Sequence, residues 1–303
     1  MKIKTTKIAQ LTGHNAAVYA LANGVQDQHF ISGAGEGWIV EWDLEAPELG
    51  QLLAKIETQV FSLCHLKKEG IIVAGNMHGG VHWVNLNIPE ETQNILAHEK
   101  GVFGICRVND SVITLGGQGK LCKWSISEQR IRESIYLSHQ SLRSIDYSEE
   151  RNEIAVGSSD NNIYLLDAKT LGLKFQFTGA HNNSVFSVRF HPTQPVLLSG
   201  GRDAMLKVWD LESKAVISEQ AAHWFTINDI QFHPEGKYFA TASRDKTIKI
   251  WDAQSYKLLK VLETIRDQGH VNSVNHLYWS KQHHYLISAS DDRSMIIWKI
   301  KEN

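Results

Sequence analysis

The sequence predicts an all-β chain made of seven copies of one small sheet unit, and three observations carry that expectation. First, tryptophans close short apolar runs at a nearly constant interval. Trp42, Trp83 and Trp124 stand 41 and 41 residues apart, and Trp209, Trp251 and Trp298 follow at intervals of 85, 42 and 47. The 85-residue gap is two periods, with Leu166 where the missing tryptophan would stand. Second, His14, His98, His139, His181, His223 and His270 precede these positions by 28, 26, 27, 28, 28 and 28 residues, while unit two has Ile56 in that place. Third, the units read as short runs rich in Val, Ile, Phe and Tyr, broken by Gly, Asn, Asp and Ser, and no segment sustains a helical period. A unit of three or four strands cannot bury its faces alone, so neighbours must stack, and radial stacking protects their edges. The arrangement is a seven-bladed β-propeller of four-stranded antiparallel blades, one domain over residues 1–303 with no linker.

Unit five justifies the elements one by one. Phe186–Phe190 and Val196–Leu198 are apolar runs separated by His191-Pro192, which ends the first strand. The turn Gly200-Gly201-Arg202-Asp203 then leads into a third run through Leu206, Val208 and Trp209. An outer strand belongs between each tryptophan position and the next histidine, as at Leu173–Phe177 and Lys257–Leu262. Unit seven has only residues 299–303 after Trp298, too few for such a strand. The stretch Lys7–Leu11, just before Gly13-His14, has the right character. The N-terminus is therefore expected to close the last blade, with Lys4–Leu11 lying beside Ile296–Ile300. That pairing removes an open edge.

Composition narrows the function. Hydrophobic residues make up 42% of the chain and charged residues 21%, an ordinary globular balance. A net charge of −2 argues against nucleic-acid binding, which needs a basic surplus. No apolar run approaches a membrane span, and the first residues lack the apolar core of a secretory signal. Cys64, Cys106 and Cys122 are read as free thiols of a cytoplasmic protein. His283 and His284 are adjacent, and His78 and His82 fall in a turn-and-strand region, so no metal-ligand set is expected. No cofactor motif is present.

A carboxylate, a histidine and a hydroxyl recur together. They are Asp203, His181 and Ser199 with Trp209; Asp245, His223 and Thr241 with Trp251; and Asp292, His270 and Ser288 with Trp298. On paper each set is a hydrolase triad. Three copies at fixed offsets, Thr replacing Ser in one, and no Gly-x-Ser-x-Gly elbow argue against catalysis. Elsewhere the set decays: Glu36 and Gln118 replace the Asp in units one and three, unit two has Met77 and Val73, and unit four keeps Asp160 and His139 beside Val156 and Leu166.

The units, from Gly179-Ala180-His181 to Trp209-Asp210, from Ala222-His223 to Trp251-Asp252 and from Gly269-His270 to Trp298-Lys299, resemble those of the WD-repeat β-propeller family. The resemblance covers all seven units. It implies that the recurring set is a buried hydrogen-bonded network. It also implies a top face built from three positions per blade, among them the fifth residue after the histidine and the residue before the turn aspartate. The first series reads Tyr19, Phe61, Phe103, Arg143, Phe186, Asn228 and Asn275. The second reads Gly35, Asn76, Gly117, Ser159, Arg202, Arg244 and Asp291. The expectation is a non-enzymatic module, monomeric on its own, that docks a protein or peptide through Tyr19, Phe61, Phe103, Arg143, Phe186, Arg202 and Arg244. Aromatic and Arg side chains are the types enriched at binding hot spots. The segment Glu263–Gly269, with Arg266, adds a longer loop to that face. Two alternatives stay open: an enzyme or small-ligand binder using the central channel, and a complex subunit using its side or bottom.

Overall fold

The computed structural model describes residues 3–302. Seven four-stranded antiparallel sheets form a ring, so the predicted propeller is borne out. Blade five is representative. Its inner strand is Val185–Phe190, followed by Val196–Gly201, Met205–Asp210 and the outer strand Ala215–Ala221. Every residue of the second strand is buried, whereas the outer strand is mostly exposed. Apolar runs therefore sit where both faces are covered, and polar sequence sits at the rim.

The ring closes as expected. The strand Ile3–Thr12 pairs with Ser294–Glu302, running from Ile3 opposite Glu302 to Thr12 opposite Ser294. It supplies the outer strand of blade seven, next to Val274–Trp279 and Leu286–Ser290. One apolar cluster fills each of the seven interfaces between neighbouring blades. Helix among the described residues is confined to a 3-10 turn, Pro89–Glu91, and the short helix Thr264–Asp267.

Every inner strand carries the same irregularity. The register between inner and second strand slips by one residue between Val18 and Ala20, Val60 and Ser62, Val102 and Gly104, and Leu142 and Ser144. The same slip falls between Val185 and Ser187, Ile227 and Asp229, and Val274 and His276. The extra residue is in each case the fifth-position residue, from Tyr19 to Asn275. A bulge bends the strand and re-aims its extra side chain.

Candidate docking face

The upper face of blades five, six and seven is held by the recurring polar set. In blade five the His181 Nδ1–H donates to Asp203 at 3.0 Å, Nε2 meets Ser199 Oγ at 2.7 Å, and the Trp209 indole N–H donates to Ser199 Oγ at 2.8 Å. Blade six repeats this through His223 with Asp245 (2.8 Å) and Thr241 (2.7 Å), and Trp251 donates to Thr241 at 3.0 Å. Blade seven has His270 with Asp292 (2.9 Å) and Ser288 (2.8 Å), and Trp298 donates to Ser288 at 2.9 Å. The direction of every bond follows from the carboxylate, which can only accept. It fixes the hydrogen on Nδ1, so Nε2 accepts from the hydroxyl and the hydroxyl accepts from the indole.

The carboxylates also hold the loop above. Asp203, Asp245 and Asp292 accept backbone N–H groups from Asn182, Trp224 and Val271, each just after the histidine. Burial alone would raise these carboxyl pKa values. The bonds from histidine and backbone, joined by Thr247 at Asp245 and Ser294 at Asp292, outweigh it and hold them below the usual carboxylate range. Burial lowers His223, which stays neutral against the charged Asp245. Ser199, Thr241 and Ser288 are 0% exposed and already accept an indole hydrogen, so no substrate can reach them.

Four details depart from the sequence reading. In blade one the network is complete: His14 bonds Glu36 and Ser32, and Trp42 donates to Ser32. Glutamate reaches as well as aspartate because the loop accommodates one more methylene. In blade three His98 bonds Thr114 at 2.8 Å, Trp124 donates to Thr114 at 3.0 Å, and Gln118 stands 3.4 Å from His98. Burial, helped by the charge of Lys120, pushes His98 down to about 4. In blade four His139 is exposed. Ser138, 28 residues before Leu166, takes its place and donates to Asp160 at 2.6 Å, joined by the Tyr164 hydroxyl.

Blade two holds the fourth correction. Leu197, four residues before the end of the first inner pair (Val185 opposite Gly201), faces Trp209. The matching residue of blade two, Ile72, faces Val84, and Trp83 faces Val73 instead. Trp83 is thus one residue out of register, and a one-residue slip turns a strand side chain to the opposite face. Val84 packs between blades one and two, while Trp83 packs between two and three beside Trp124, 5.9 Å from it. The positions matching hydroxyl and carboxylate are Ala74 and His78. The regular 41-residue spacing concealed the slip.

The bulge residues converge at the mouth of a central channel of about 500 Å³, whose wall includes all seven of them. Tyr19 meets Phe61 edge-on at 5.2 Å, and Phe61 stacks on Phe103 at 5.6 Å. The Arg143 guanidinium lies 4.5 Å from the Phe103 ring and 5.3 Å from Phe186. Five blades therefore build one continuous ladder of rings and cation. Asn228 and Asn275 complete the circle and spend their amides on Val274 and Val18 carbonyls. Arg143 bonds Ser159 through Nε at 2.8 Å. Its terminal nitrogens make no hydrogen bond among the described residues. Burial, together with the charge of Arg202, lowers its pKa. Arg202 and Arg244 stand apart from the ladder, exposed in the turns of blades five and six. Deeper in the channel the charges satisfy one another: Arg189 bonds Asp146 and two backbone carbonyls, and lies 3.6 Å from Asp229.

Sequence reasoning missed Trp224 and Phe225, which stand on the same face, 86% and 58% exposed. The signal was available: they occupy the two places after a repeat histidine, where no other unit has two aromatic residues.

A family model described as "WD domain, G-beta repeat" matches residues 5–43, 173–210, 215–252 and 258–299, more than half of the chain. The chain is 25% identical over 219 residues to human "Echinoderm microtubule-associated protein-like 1" (68% of this chain, 26% of that protein). It is 26% identical over 165 residues to "Autophagy-related protein 16" of Arabidopsis thaliana (53% and 32%) and 23% identical over 160 residues to "THO complex subunit 6 homolog" of Danio rerio (46% and 49%). The match thus spans about a quarter of the first of these relatives. Among solved structures, the "WD40 beta propeller domain of Doa1" superposes with a TM-score of 0.85 at 19% identity, covering 98% of this chain and 97% of that one. With this repeat, this ring and these matches, the chain belongs to the WD40-repeat family, whose propellers typically serve as protein-interaction modules.

Proposed function

We propose that the chain is a non-enzymatic docking module that holds a protein or peptide partner on its upper face. The observation that carries this reading is the Arg143 guanidinium, fixed between Phe103 and Phe186 at the channel mouth with its terminal nitrogens unspent. A planar donor fork held in place by rings suits a carboxylate, in bidentate fashion, with little ordering cost. Tyr19, Phe61 and Phe186 supply apolar area beside it, and Arg202 and Arg244 add positive charge. The names of the relatives agree in kind: one is described as microtubule-associated and another as a subunit of a complex. Three free thiols suit a reducing, cytoplasmic setting, and no helix among the described residues is long and apolar enough to cross a membrane.

The test is affinity capture from the native cell with the wild-type chain and with the Arg202→Glu, Arg244→Glu double variant. Surface substitutions of this kind spare folding, which matched melting curves would check. Proteins held by the wild type should be lost from the double variant, and the loss should shrink in high salt. Unchanged recovery would move the interface to the sides or bottom of the ring. A second reading, a small ligand in the channel, has one observation in its favour: Ser144 Oγ and His276 Nδ1 are buried in its wall without a hydrogen-bond partner among the described residues. A thermal shift with a small polar ligand that vanishes in Ser144→Ala would favour it.

A further inference from the structure

We infer that the centre of the docking face lies off the channel axis, on the junction of blades five and six, and that it takes an acidic segment of a partner protein bearing an apolar side chain. The inference rests on the docking reading above and sharpens it.

The repeats provide an internal control. Seven copies of one loop reveal what the fold needs at each place, so a departure in one copy calls for another cause. The two residues after the repeat histidine are Asn15-Ala16 in blade one, Glu99-Lys100 in blade three, Asn182-Asn183 in blade five and Val271-Asn272 in blade seven, where one exposed apolar residue also stands. Blade six alone has two aromatics, Trp224-Phe225. Neither covers the core: Trp224 is 86% exposed and Phe225 58%. An indole left in water is an unspent reserve of roughly 200 Å² of contact area. A second departure falls in the same place. The residue before the turn carboxylate is Arg only in blades five and six, as Arg202 and Arg244.

Backbone contacts bring the two departures together. The loop carrying Trp224 is clamped on one side by the blade-five turn, where Ala222 and His223 donate to the Ala204 carbonyl at 3.1 and 3.3 Å. On the other side it is clamped by the blade-six turn. There Trp224 donates to Asp245, Ser243 to the Phe225 carbonyl, and Arg244 to the Thr226 carbonyl. Arg202 and Arg244 therefore flank the two aromatics on a loop fixed before any partner arrives.

Charge selects the occupant. Arg202, Arg244 and Lys246 are exposed and make no side-chain hydrogen bond or ion pair among the described residues. The carboxylates of the same turns, Asp203 and Asp245, are held by His181, His223 and Thr247. The patch presents cations and rings while its anions face inward. Such a surface complements Asp or Glu residues around an apolar anchor. Three cations are fewer than the polybasic clusters that hold anionic bilayers, so a protein segment is favoured over a lipid surface.

The test starts from a random peptide library displayed on phage and panned on the full chain. Selected peptides should be rich in Asp and Glu around a large apolar residue. In a solution titration with one such synthetic peptide, Trp224→Ala with Phe225→Ala should weaken binding about tenfold or more, the scale of a hot spot. Asn182→Ala with Asn183→Ala, the same places in blade five, should leave it unchanged. Binding lost in Arg143→Ala but kept in the Trp224, Phe225 double variant would overturn this inference and leave docking at the channel mouth standing. Binding indifferent to both would overturn both readings. Peptides without acidic character, a library that yields no binder, or tighter binding to phosphatidylserine vesicles than to any peptide would each overturn the acidic-segment assignment.

Discussion

Blades five to seven and blade two solve the same packing problem by opposite means. In blades five to seven a histidine, a hydroxyl, a carboxylate and an indole are all buried or half-buried, and each hydrogen finds an acceptor. In blade two the histidine, hydroxyl and indole places hold Ile56, Ala74 and Val84, all buried. Both arrangements fold, because what costs free energy is a polar group buried without its partner and not the absence of polar groups. Within a blade, the groups that remain keep partners for one another: blade three retains His98, Thr114 and Trp124 without a carboxylate. Blade four lies between: Leu166 and Val156 are apolar, and the surviving Asp160 recruits Ser138 and Tyr164.

The largest expected effect breaks the frame in which the two blade types can be compared. Removing residues 1–12 deletes the strand that pairs with Ser294–Glu302 and uncovers Met295, Ile296 and Ile297. Unlike any loss inside one blade, it opens the ring and frees a long strand edge. A destabilisation above about 4 kcal/mol is expected, with concentration-dependent association through the new edge. Thermal melting and light scattering would read both, and an unchanged melting curve would mean that closure contributes little.

Inside the polar blades the decisive single group is the shared hydroxyl. Thr241→Val keeps shape and size but leaves the Trp251 indole hydrogen and His223 Nε2 facing a methyl group. The expected cost is about 2–3 kcal/mol, for two buried groups stranded at once. In blade two the matching position is already apolar, so Ala74→Val should involve packing alone. Denaturant titration of the two variants separates the cases. Equal losses would mean that the network contributes no more than shape.

The sequence carried the ring well because the repeat is its own alignment. The histidine-to-tryptophan offset of 28 residues locates strand, turn and outer strand in blades one, five, six and seven. Closure by Lys4–Leu11 was legible for the same reason, as one missing strand and one spare strand. Register was not legible where a blade loses its polar markers. Trp83 keeps the 41-residue spacing while sitting one residue away from the place that spacing suggests. In blade four the histidine itself, His139, lies one residue past the place that the offset of 28 gives to Ser138. At the docking face the fifth-position residues could be named from the repeat. That each of them is a bulge, and that Arg143 sits between two rings, needed the backbone. Trp224 and Phe225 lie outside the positions the repeat pattern marks, and only their departure from the other copies distinguishes them.

The smallest effect tests the register slip itself. Trp83 is 0% exposed, and its indole nitrogen has no hydrogen-bond partner among the described residues, unlike the nitrogen of Trp124 beside it. Replacing each by Phe removes the indole N–H and shortens the ring system, so the size change is the same at both sites. In Trp124→Phe the Thr114 hydroxyl also loses its donor. In Trp83→Phe no partner is left behind, and the burial penalty of the unpartnered N–H disappears. That relief offsets part of the lost contact area, so Trp83→Phe should cost about 1 kcal/mol less than Trp124→Phe. Urea titration of the two variants gives the difference directly. Equal losses would imply that the Trp83 indole has an acceptor and that blade two keeps the common register after all.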